Sequence, residues 1–134
     1  MKRTLLLIFV ISAFAALLSA QDDAAYTTAM KAVAASANGR AAPIRAAVTA
    51  KDVAAAAAEG AKVEAGFDTI LAYWKAKNVD DAIKLATTAR DAAKAIADSK
   101  DADAQAAALM TLNGTCGACH MAHRAGGGGM FTIK

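Results

Sequence analysis

Cys116-Gly117-Ala118-Cys119-His120 is the stretch in this chain whose residue types and spacing can do chemistry. Cys-x-x-Cys-His is the attachment signature of a c-type haem. Two thiols three residues apart can each add to a vinyl group on one edge of a porphyrin, forming thioethers. The imidazole directly after the second thiol then lies under the iron as a ligand. The chain has no other cysteine, so no thiol is left over. Three plainer uses compete with this one. An exported chain can oxidise Cys116 and Cys119 to a disulfide. Zinc could take Cys116, Cys119, His120 and His123, although structural zinc sites usually draw ligands from two separated segments. A thioredoxin-like redox pair needs a preceding strand, and no strand pattern precedes this motif.

The elements that must position this motif begin after a leader. Lys2 and Arg3 precede an apolar run from Leu5 to Leu18, and Ala20 ends it with a small residue. Residues 1–20 therefore read as a secretory signal peptide, too short in its apolar run for a membrane span of about 20 residues. Without that leader, 13 Lys and Arg face 12 Asp and Glu, so no basic stripe points to nucleic acid. Export also agrees with haem attachment outside the cytoplasm, which makes the expected location the periplasm. No membrane span remains after cleavage, and no catalytic acid–base pair or nucleophile is visible.

The mature chain is rich in Ala, the residue of highest helix propensity, and has a single proline, Pro43. Its large apolar residues recur at helical rather than strand spacing, so an all-α fold is expected over residues 21–125. A first helix starts after Asp22 and Asp23 and turns Tyr26, Met30, Val33 and Ala37 inward. Asn38-Gly39 and Pro43 weaken it, and the segment to Ala50 is either a kinked continuation, the reading favoured, or a short second piece. A second helix runs from Val53 to Lys77 with Phe67, Ile70, Leu71 and Trp74 as its core. A third, capped by Asp80, runs to Ser99 and buries Ile83, Ala86, Ala89, Ala93 and Ile96. Its other face, with Lys84, Arg90, Asp91 and Lys94, reads as solvated surface. The fourth opens at Asp101 or Asp103 and carries the motif. On it Leu109, Leu112, Cys116, Cys119, His120 and His123 share one broad face, and Gly114 would allow close approach of a haem. Residues 126–134 read as a Gly-rich flexible tail. Four helices with short connections predict an antiparallel bundle. Alanine-lined helices bury little apolar area each, and a haem wedged among them would supply the missing core.

An exported chain of this length, four helices and one such motif in the last of them resemble the cytochrome c′ family, the class II c-type cytochromes. Cys116-Gly-Ala-Cys119-His120-Met-Ala-His123-Arg124 looks like that family's Cys-x-x-Cys-His-x-x-aromatic-Arg, with His123 where Tyr or Phe is more usual. The resemblance implies one covalent haem c on Cys116 and Cys119, proximal ligation by His120, and Arg124 near the propionates or the proximal ligand. It implies function through the sixth iron site. Low-spin relatives ligate a Met of the first helix and carry electrons, and Met30 stands at that place. High-spin relatives leave the site open and bind nitric oxide or carbon monoxide, with Met30 then a flexible core filler. Met110 and Met121 share the helix of His120 and cannot easily reach the opposite face of the haem. His123, three residues from His120, cannot lie trans to it, and is expected partly exposed near the haem edge. The partners implied are redox proteins, a second copy of the chain as in many dimeric relatives, and in the alternative a diatomic gas.

Overall fold

A computed structural model describes residues 23–37, 42–126 and 132–133. The leader, the Asn38-Gly39 break and most of the glycine run lie outside them. The described residues form α1 (23–37), α2 (Pro43–Thr49), α3 (Val53–Lys77), α4 (Asp80–Asp98) and α5 (Ala102–His123). The mostly helical architecture agrees with the all-α expectation.

The helix boundaries follow from local chemistry. Ala42 precedes a proline and is extended (ψ 133°), because the proline ring disfavours helical backbone in the residue before it. The segment around Pro43 is therefore a separate helix, not the expected kinked continuation. Asp52 caps α3 by accepting from the Ala55 N–H at 3.0 Å, and Asp101 caps α5 by accepting from Ala104 at 2.7 Å. Asn78 ends α3 in the left-handed conformation (φ 55°). Asp80 lies inside the first turn of α4 rather than at its cap, which is Val79. There Asp80 and Asp81 still complement the positive end of the helix dipole.

Packing is close because the facing residues are small. A Cβ added at Gly60 of α3 would lie 2.8 Å from the Ala97 nitrogen and 3.0 Å from the Ala93 oxygen. The α3 and α4 backbones therefore meet there directly. One at Gly66 would strike the Val33 side chain of α1. Phe67, Ile70, Leu71 and Trp74 are buried as expected, as are Ala86, Ala89, Ala93 and Ile96, while Ile83 is half-buried. Lys84, Asp91 and Lys94 are exposed.

Contacts at the two ends fix helix directions. At one end the Gln105 amide of α5, 1% exposed, donates to the carbonyls of Val53 and Ile96, both at 3.0 Å. At the other end Tyr26 of α1 stacks on Tyr73 of α3, and His123 of α5 meets Asp81 of α4. Sequence-adjacent members of α1, α3, α4 and α5 thus run in opposite directions. The chain after α5 returns: Arg124–Ala125 (β1) pairs antiparallel with Thr132–Ile133 (β2). Residues 132–133 are thus paired, and the rest of the glycine-rich segment beyond Gly126 lies outside the described residues.

Two glycine substitutions separate packing from propensity. Gly60→Ala must push α3 from α4 and should cost about 1–3 kcal/mol. Gly114→Ala adds a Cβ with nothing within 4 Å, and should gain about 0.5–1 kcal/mol. Chemical denaturation of both variants checks the pair.

Candidate functional site

Helix α5 carries the motif to the end of the molecule where Tyr26, Tyr73 and Trp74 meet. Leu109, Leu112 and Thr115 are buried and lead along the helix to Cys116, Cys119 and His120, which are half-buried. At i, i+3 and i+4 the three side chains share one face. Both cysteines are free thiols. Burial pushes the Cys116 thiol up from its ordinary pKa, and neighbouring Cys119 adds to the effect. Burial does the same at Cys119, with the Asp81 charge adding. Both therefore favour the neutral thiol. Burial lowers the His120 pKa, helped by the positive charge of Arg124. The imidazole is thus held neutral, with a lone pair able to ligate a metal.

Other helices complete the surroundings. Tyr26 approaches the motif from α1: its hydroxyl is pushed up to about 12, first by burial and then by Cys119 and Tyr73. Its ring lies 4.2 Å from Tyr73 and 5.7 Å from Trp74, centroid to centroid. Trp74 in turn lies 5.2 Å from the His123 ring. His123 is only 14% exposed at its side chain and its Nε2 sits 2.9 Å from Asp81 Oδ2. It is partly exposed, as expected, and ties α5 to α4.

One buried polar atom in this box has no hydrogen-bond partner, the indole Nε1 of Trp74. An unpartnered buried donor costs about 1–3 kcal/mol, enough to make it notable in a small domain.

The structure sorts the sequence candidates. Cys116, Cys119, His120 and Arg124 come together at the end of α5, all half-buried. Met30 is half-buried one turn beyond Tyr26, and both it and Cys116 pack on the same apolar core. Met110 and Met121 are 71% and 77% exposed, on the outer side of α5. Gly114 is also exposed, so it does not line the face that a haem would approach. Tyr26, Tyr73 and Asp81 were missing from the sequence-derived site. The spacing of Tyr26 four residues before Met30, and of Tyr73 beside Trp74, is the available signal. Asp81 carried none, because a pairing 42 residues away leaves no local pattern.

The competing chemistries fare unequally here. Among the described residues no three His, Cys, Asp or Glu side chains converge as a metal site. His123, the fourth ligand a zinc site would need, is engaged with Asp81. Two free thiols and a neutral imidazole on one face suit covalent capture of a flat group with one axial nitrogen ligand. No protein-family model matches this chain, nor does any curated protein or solved structure.

Tyr26 offers a titration specific to this site. Its phenol ionises at about 12 in the fold against an ordinary 10.0. Its contribution to stability is therefore complete below pH 10 and is lost as pH rises through 12. Tyrosinate absorbance should show this late step, and Tyr26→Phe should remove it.

Proposed function

We propose that this chain is a periplasmic monohaem c-type cytochrome, an electron carrier without enzymatic activity of its own. Its fold is read as an antiparallel four-helix bundle of α1, α3, α4 and α5, with α2 a short connecting helix. Cys116 and Cys119 would hold haem c through thioethers, His120 would supply the proximal ligand and Met30 the distal one. Arg124 would lie near the propionates or His120, as in the cytochrome c′ family that the motif resembles.

The observation that carries this reading is the half-buried face of α5, where Cys116, Cys119 and His120 stand together at i, i+3 and i+4. The bound group would supply one-electron chemistry, with His120 and Met30 the residues that would hold its iron. The chain's own part is to bind and orient. α5 fixes the spacing of the three attachment residues, the Asp81–His123 contact holds the end of that helix, and the aromatic box keeps water away. Met30 points to electron transfer over gas binding, since it lies half-buried on the face of α1 that Tyr26 turns toward the motif. The leader at residues 1–20 supports export, and no helix among the described residues is long and apolar enough to cross a membrane. Redox proteins are the partners this reading requires.

Absorption spectra of the oxidised and reduced protein, made in a host with c-type maturation, test the ligand set. The expected wild-type spectrum is low-spin with the far-red band of Met-to-iron(III) ligation, and Met30→Ala should turn it high-spin and open it to carbon monoxide. A Met30→Ala protein that stays low-spin would remove Met30 from the iron. A wild type that is high-spin and binds carbon monoxide directly would move the function to gas binding.

A further inference from the structure

Trp74 is the chain's single tryptophan and is 3% exposed. Its indole ring is held on three sides by aromatic rings: Tyr26 edge-on at 5.7 Å, Tyr73 edge-on at 5.2 Å and His123 tilted at 5.2 Å. These contacts fix the ring without giving its N–H an acceptor. The nearby carboxylate is engaged elsewhere, because Asp81 pairs with His123 and its side chain is 65% exposed. Buried indole N–H groups usually find a partner, so one that does not marks a place where an acceptor from outside the chain belongs.

The place agrees with that. Trp74 lies in the last turn of α3, against the residue one turn beyond His120 on α5. Lys77, whose ammonium sits 5.1 Å over the Tyr73 ring, pairs with Asp23 at 3.7 Å at the same end. An acceptor drawn there is best an anion, since a donor to a charged acceptor makes the stronger bond. On a c-type haem the strong anionic acceptors are the two propionates.

We propose that the Trp74 indole N–H donates a hydrogen bond to a carboxylate of the haem held at Cys116, Cys119 and His120. The inference rests on the haem reading of that motif and adds a residue to it. Trp74 is then a positioning residue: it sets how the group sits against α3.

The single tryptophan makes the test unambiguous. Ultraviolet resonance Raman of the wild-type holoprotein reads the hydrogen-bond state of this one indole directly. The expected result is the band position of a strongly hydrogen-bonded indole. Redox-difference infrared spectra of wild type and Trp74→Phe then read the haem carboxylates, and the variant should shift one carboxylate stretch while the other stays. A free indole band in the wild type overturns the proposal even if Trp74→Phe fails to fold. A bonded indole with no carboxylate shift in Trp74→Phe also overturns it, since the N–H then serves a buried water. The haem absorbance of the same samples separates the two levels. Haem present with a free indole defeats only this inference, whereas a protein matured without haem defeats the reading beneath it.

Discussion

Everything at the candidate site depends on α5 being held at both ends by polar contacts to other helices. At its start the Gln105 amide, buried, bridges the first carbonyl of α3 and a late carbonyl of α4. At its finish His123 pairs with Asp81 in the first turn of α4. Between these ties, residues 104–123 carry no Asp, Glu, Lys or Arg, so the ties and apolar packing must set its register. A shift of one residue would rotate Cys116, Cys119 and His120 by about 100° off their face. Losing the Gln105 amide would orphan the Ile96 carbonyl, in the last turn of α4, at about 1–3 kcal/mol if it stayed buried.

The rest of the interior is built from small side chains. Alanine and glycine let α3 and α4 touch backbone to backbone, which gains dispersion contacts but little buried apolar area per residue. The bulk is concentrated in α3, at Phe67, Ile70, Leu71, Tyr73 and Trp74. Its aromatic end is also the end where the thiols and His120 stand. A chain with such a core has reason to gather its large side chains where a flat apolar group would meet them. On the proposed function that group would complete the core as well as supply the chemistry.

How much of this was legible in the sequence differs by element. Residues Val53–Lys77 were delimited from Asp52, Asn78 and the apolar spacing alone, because caps and periodicity are local. The motif face of α5 was likewise plain from the i, i+3, i+4 positions. The break at Pro43 was misjudged, since the restriction on Ala42 outweighs the helix propensity of its alanine neighbours. The β1–β2 pairing was invisible, two residues on each side being too short for any alternation. The site's second half, Tyr26, Tyr73 and Asp81, escaped because it is made by helices meeting across long stretches of chain. The pairing of His123 with Asp81 was likewise out of reach of the local sequence.

Whether the polypeptide carries haem through its own sulfurs is the claim beneath all the others, and one measurement reaches it directly. Protein matured in a host that attaches c-type haem is denatured, stripped with acidified organic solvent, and read as the reduced pyridine complex. The account predicts that haem stays with the chain and shows the band position of two thioethers, moving toward the single-thioether position in Cys116→Ser. Haem that extracts into the solvent, or a chain that never acquires it, would contradict the account at its root.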